Sequence, residues 1–170
     1  MASLRFSELP DAGFESALRV TAGRGTGPAG VFVLVDVDDR RLCIAIHPDG
    51  PQAYPFRDAV IWKKLVVIGF GSALYVIDLN DLHCRVHDFA GYFGSIVCSE
   101  ACCLAASDEG VLRLSADGTA LWHQHGLAAD GILIQDVSDK VIRGEGQWDP
   151  PDGDWVAFRL DLETGRPLAS

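Results

Sequence analysis

The sequence predicts an all-β fold of four repeats, each of about four antiparallel strands, and three observations carry that expectation. One phrase recurs, an apolar strand followed by an acidic or glycine turn: Leu42-Cys43-Ile44-Ala45-Ile46-His47-Pro48-Asp49-Gly50, Leu74-Tyr75-Val76-Ile77-Asp78-Leu79-Asn80-Asp81, Val111-Leu112-Arg113-Leu114-Ser115-Ala116-Asp117-Gly118 and Val156-Ala157-Phe158-Arg159-Leu160-Asp161-Leu162-Glu163-Thr164-Gly165. The equivalent positions Ile46, Ile77, Leu114 and Leu160 lie 31, 37 and 46 residues apart, a period at which each unit must stack on its neighbours to bury its apolar face. The apolar runs are also short, rich in β-branched residues and bounded by Gly, Asp or Pro, which suits strands rather than helices.

Taken in order, the first unit, approximately 14–58, offers Ser16–Val20, Val31–Val35, Leu42–Ile46 and Ala53–Phe56 as strands. The second, 59–91, offers Ala59–Trp62, Leu65–Phe70, Leu74–Leu79 and Cys84–Phe89. In the third, 92–126, the strands are Ser95–Cys98, Cys102–Ala106, Val111–Leu114 and Ala120–His123. The fourth, 127–170, has Gly131–Gln135, Val141–Arg143, Val156–Leu162 and Arg166–Leu168. Its long gap is filled by Gln147-Trp148-Asp149-Pro150-Pro151-Asp152-Gly153-Asp154-Trp155, a polar, proline-broken insert expected to interrupt a ladder. Without those nine residues the last gap is also 37.

Four antiparallel strands in roughly 40 residues is the pattern of a β-propeller blade. The stretch Leu114-Ser115-Ala116-Asp117-Gly118-Thr119-Ala120-Leu121-Trp122, and less closely Leu160-Asp161-Leu162-Glu163-Thr164-Gly165-Arg166-Pro167-Leu168, resembles the pyrroloquinoline-quinone-type (quinoprotein-like) propeller repeat. In that repeat a strand ending in Asp and Gly is followed by a Trp that docks between blades. The first two units lack this Trp, and the catalytic quinoproteins have about twice as many units. The resemblance therefore implies architecture and not quinone chemistry, and no cofactor is expected. Four blades can close into a small ring, remain an open arc, or be completed by a second chain in a homodimer.

A hydrophobic share of 48% and a charged share of 22% are those of a globular chain. At 170 residues it is expected to form a single domain that buries roughly 70% of its unfolded surface. No apolar run reaches the roughly 20 residues needed to span a bilayer, and Met1–Pro10 has no basic flank leading into an apolar stretch, so a cytoplasmic protein is expected. The five cysteines, Cys43, Cys84, Cys98, Cys102 and Cys103, lie in apolar stretches and are read as small buried hydrophobes. The adjacent Cys102 and Cys103 project to opposite faces of a strand, which disfavours a bond between them and fits a reducing compartment. A formal charge of −10 argues against nucleic acid and anionic membranes; it steers a basic partner to the surface or, as is more common for an acidic chain, simply serves solubility.

The candidate sites are few. Gly25-Thr26-Gly27-Pro28-Ala29-Gly30 spells a dinucleotide-binding pattern, but a strand follows it where the motif needs a helix, so a loop is expected. His123 and His125 project to one face of a strand and could share a metal with His83, Cys84 or His87, although the spacing of a recognised metal motif is missing and no metal is assigned. Asp36, Asp38 and Asp39, like Asp149, Asp152 and Asp154, could attract a hard cation, but neither run has the twelve-residue calcium loop and such residues commonly serve turns. No serine-nucleophile signature is present and no catalytic residue is assigned. Trp148 and Trp155 bracket three aspartates on a loop that only one unit has. They are either an interface or a cover folded back on the core.

These readings lead to a non-enzymatic protein-binding module using acidic loops and exposed aromatics: Trp148, Asp149, Asp152, Asp154 and Trp155, with Asp36, Asp38 and Asp39. Its concrete form is an immunity-type inhibitor of a basic partner such as a bacterial toxin. The alternative is a small-molecule- or metal-binding propeller enzyme with its site near His123 and His125.

Overall fold

The computed structural model describes residues 2–9, 16–49, 56–149 and 153–169, which form fifteen strands in four sheets. The first sheet contains β1 (Ser3–Ser7), β2 (Leu18–Gly23), β3 (Val31–Val37) and β4 (Arg40–His47) in the order β1-β3-β4-β2. The second is a meander of β5 (Arg57–Trp62), β6 (Leu65–Phe70), β7 (Ala73–Asp78) and β8 (Cys84–Asp88). The third repeats it with β9 (Phe93–Cys98), β10 (Cys103–Ser107), β11 (Val111–Leu114) and β12 (Ala120–Gln124). The fourth comprises β13 (Ile132–Ser138), β14 (Val141–Gln147) and β15 (Trp155–Asp161), with a single bridge from Leu160 to Pro167 where a fourth strand was expected. Proline lacks the N–H a longer ladder needs. Among the described residues no helix is long and apolar enough to cross a membrane.

The sheets stack face to face in chain order, and the pleat explains how. In β6, Val66 and Ile68 enter a core shared with Val33, Val35 and Ile44 of the first sheet. The alternate residues Leu65 and Val67 enter a second core with Phe93, Ala105 and Leu112 of the third. Leu104 and Ala106 of β10 then meet Ile132, Ile142 and Leu160 of the fourth sheet in a third core. The inner sheets have two buried faces, so their central strands β6, β7, β10 and β11 are buried at almost every position. The fourth has one wet face, and β14 alternates half-buried Arg143, Glu145 and Gln147 with buried Ile142, Gly144 and Gly146. Among the described residues no apolar cluster joins the fourth sheet to the first.

The recurring turn has a common chemistry in three sheets. Asp78 and Asp161 end the third strand of the second and fourth sheets and Ser115 follows that of the third, and each side chain accepts a backbone N–H within its turn: from Asn80 at 2.8 Å, Thr119 at 3.1 Å and Thr164 at 2.8 Å. Each turn closes on a left-handed residue, Leu82, Gly118 or Gly165, whose N–H returns to the carbonyl of the capping residue. Two indoles tie neighbouring sheets together. Trp62 Nε1 donates to the Ser99 carbonyl at 2.7 Å, and Trp122 Nε1 to the Leu162 carbonyl at 3.0 Å.

The first sheet departs from four equivalent antiparallel units. β2 pairs parallel to β4, and β1, which was not anticipated, supplies an edge through Leu4 and Phe6. The expected strand Ala53–Phe56 lies outside the described residues except for Phe56, which precedes β5. The reading of all five cysteines as free is also corrected. Cys98 and Cys103 stand directly opposite on β9 and β10, with Cα atoms 4.1 Å apart, and form a disulfide. Cys43, Cys84 and Cys102 are free.

Candidate functional site

β5, β9 and β13 begin at the same end of the stack, where backbone bonds stitch successive sheets together. Phe93 N–H donates to Gly71, Asp108 to Tyr92, Gly131 to Asp108, and Gln147 to Gly131, all at 2.7–3.0 Å. The segments so tied hold their side chains around a cleft of about 360 Å³ lined by Phe56, Tyr92, Asp130, Ile132, Leu133 and Trp155, with Ser95 and Gln147 on its polar side. The rings of Phe56 and Tyr92 stack at 5.5 Å and 21°. The Tyr92 hydroxyl donates to Asp130, approaching its carbonyl at 2.8 Å and its Oδ1 at 3.1 Å. Gly131 sits between Tyr92 and Trp155 at φ +145, and a Cβ there would lie 3.8 Å from each side chain. That backbone angle strains any side-chain-bearing residue. Phe56 and Trp155 are 47% exposed and Leu133 52%, so the cleft presents large apolar side chains to solvent.

Trp155, picked out by the sequence, is the first residue of β15 and pairs with Gln147, so the ladder continues to both edges of the supposed insert. Trp148, Asp149 and Asp154 are exposed and lie outside the cleft lining, although their sequence neighbours Gln147 and Trp155 belong to it, and neither Trp148 nor Trp155 belongs to an apolar core. Asp152 lies outside the described residues. Asp36, Asp38 and Asp39 are not brought to this end. Asp38 and Asp39 form the two-residue β3–β4 turn, with Asp38 at φ 45, and Asp36 pairs with Arg41 at 3.4 Å. The adjacent Arg40 donates to the Leu79 carbonyl, which fixes that turn beside the opposite ends of β5 and β7.

The end bearing the cleft is acidic. Its two arginines are each tied to an acid, Arg24 to Asp88 at 2.9 Å and Arg57 to Glu8 at 2.7 Å. Asp49, Asp108, Glu109, Asp130, Asp149 and Asp154 add negative charge. The chain's three lysines, Lys63, Lys64 and Lys140, all sit in turns at the other end. Asp108 is half-buried behind the cleft; its Oδ1 has no hydrogen-bond partner, and burial pushes its carboxyl up.

His123 and His125 do lie side by side, with ring centroids 3.8 Å apart. Glu109 engages His125 Nδ1 at 3.1 Å, while Phe89 packs edge-on against His123. Burial, reinforced by His125, lowers the His123 pKa to about 4. Of the suggested further donors, His87 bonds the Gly118 carbonyl at 2.9 Å and Cys84 packs on the first core. Among the described residues no group of three metal-capable side chains forms. The segment Gly25–Gly30 is a loop joining β2 to β3, held to β4 by Gly25 and Gly30 N–H groups on the His47 and Ile46 carbonyls.

Sequence reasoning missed Phe56, Tyr92, Asp130 and Leu133. A signal existed in the repeat itself, because Phe56, Tyr92 and Gly131 each immediately precede the first strand of a sheet. No protein-family model matches the chain, and no curated protein matches it in sequence.

Proposed function

We propose that this chain is a non-enzymatic protein-binding module that engages a basic partner through its aromatic, acidic end. One observation carries the reading: Phe56, Tyr92 and Trp155 converge from three sheets on one cleft within a field of carboxylates. Aromatic anchors in a pocket with a charged rim are the usual anatomy of a recognition surface, and a negative field speeds encounter with a cationic protein. The architecture fits an open arc of quinoprotein-like propeller repeats, in which the Trp122 contact with the next sheet is the feature that best supports the resemblance. An immunity-type inhibitor capping a basic enzyme such as a bacterial toxin is one form such a module takes.

The test is affinity capture from a lysate of the source organism at about 0.05 M and about 0.5 M salt, where screening lengths differ severalfold. Wild type is compared with Trp155→Ala, and with Asp38→Asn at the far end. The reading expects one basic protein, held stoichiometrically at low salt, weakened at high salt, lost with Trp155→Ala and retained with Asp38→Asn. Equal recovery by Trp155→Ala contradicts it.

A second reading rests on the absence of an apolar cluster between the fourth and first sheets among the described residues. Two copies could then complete a ring as a homodimer. Light scattering on dilution separates a stable dimer from a monomer.

A further inference from the structure

We infer that the cleft between Tyr92 and Trp155 receives an arginine side chain of the partner. The inference rests on the binding-module reading above and names the group that the module grips. Aromatic walls alone would suit any apolar residue, so the choice is made by the polar side and the field.

Aromatic rings line more than one wall of the cleft, the stacked pair Phe56 and Tyr92 on one side and the edge of Trp155 across Gly131. A guanidinium is planar, weakly hydrated and stacks on such faces, whereas an ammonium holds its water more tightly. Asp130 lines the cleft, and the Tyr92 hydroxyl that bonds its carbonyl at 2.8 Å also lies 3.1 Å from its Oδ1. The carboxylate keeps lone pairs on both oxygens for a fork of N–H donors. Arg57, adjacent to Phe56, is drawn to the first sheet by Glu8 and lies over the Phe6 ring at 5.2 Å, so it does not supply the cation itself. The net charge of −10 and the placement of all three lysines at the opposite end leave the cleft complementary to a cation.

The test titrates the intact protein with a capped, glycine-flanked arginine tripeptide, followed by amide and indole NMR shifts. The matched citrulline peptide keeps the shape and removes the charge. The expected result is shifts at Gly131, Leu133 and the Trp155 indole, with binding at least about fivefold weaker for citrulline. Asp130→Asn, which keeps an acceptor for Tyr92, should weaken the arginine peptide about fivefold. Trp155→Ala should abolish the shifts at Gly131 and Leu133, and Trp155→Phe should restore part of them, with amide dispersion reporting the fold of each variant. Equal affinity for citrulline, shifts confined to other surfaces, or none at about 10 mM peptide overturns the proposal. Partner capture that depends on Trp155 while the arginine peptide leaves the cleft unmoved defeats the arginine assignment alone. Peptide binding at the cleft with partner capture indifferent to Trp155 supports the arginine assignment and defeats the module reading.

Discussion

Trp122 on β12 and Leu162 beyond β15 are joined by an indole-to-carbonyl hydrogen bond of 3.0 Å, and the same carbonyl accepts Arg113 Nη1 at 2.7 Å. Both donors come from the third sheet and the acceptor from the fourth. Gly165 closes the receiving turn at φ +71, and a Cβ there would come within 2.6 Å of the indole ring. The turn is thus shaped around the ring that docks on it.

Trp122→Ala should remove this joint at a cost of about 3 kcal/mol, the range for losing a large aromatic from a packed site. For a chain of this size that lowers Tm by roughly 6–12 °C. Trp122→Phe keeps most of the ring and loses the hydrogen bond, costing about 1 kcal/mol. Thermal unfolding of the two variants checks the order; equal stability of Trp122→Ala and wild type would show that the fourth sheet is not held through this contact.

His123 should make the protein acid-sensitive. Its folded pKa, about 4, lies below its ordinary value of 6.5, so the unfolded chain binds more protons between those limits. Stability is therefore full above pH 6.5 and falls as pH drops towards 4, by on the order of 2 kcal/mol after allowance for partial exposure. His123→Leu should flatten this limb, as read by urea unfolding at about pH 7.5 and about pH 4.5. An unchanged slope in the variant assigns the acid loss to other groups.

Asp78 acts in a lower window. The Asn80 N–H and the Lys64 ammonium, 2.9 Å away, hold its carboxyl below its ordinary 3.8. Its contribution is present above pH 3.8 and lost as pH falls through the depressed folded value. Asp78→Ala should cost about 2 kcal/mol at neutral pH, for the lost cap and the lost charge-assisted bond. Denaturant melts of Asp78→Ala and Asp78→Asn should rank the alanine as the weaker, because Asn retains the acceptor for Asn80.

Thiol counting tests the Cys98–Cys103 bond. Unfolded, unreduced protein should titrate three thiols and reduced protein five. Reduction should cost about 2 kcal/mol, as expected for closing so short a loop. Five thiols before reduction would show the two cysteines to be free.

Much of the fold was legible. The continuous apolar runs Leu65–Ile68 and Cys103–Ala106 signal strands with two buried faces, and the Asp/Ser turns announce their own caps. β1 escaped because five residues with serines at both ends give only a short alternation. The parallel pairing of β2 with β4 depends on contacts across the first sheet that no local pattern encodes. Cys98 and Cys103 flank a four-residue turn from Ser99 to Cys102, so their pairing was readable once that turn was recognised. The cleft was half legible. Trp155 stands out by residue type, whereas Phe56, Tyr92 and Asp130 come from three connections, far apart in sequence, that only the stacked sheets unite.

The most direct measurement is hydrogen–deuterium exchange of the protein alone and in complex with its captured partner. The account predicts new protection at Phe56, Tyr92–Ser95, Asp130–Leu133, Gln147–Asp149 and Gly153–Trp155, weakened at high salt. Protection centred on the β3–β4 turn at Asp38 and Asp39, with the cleft exchanging as in the free protein, would contradict it.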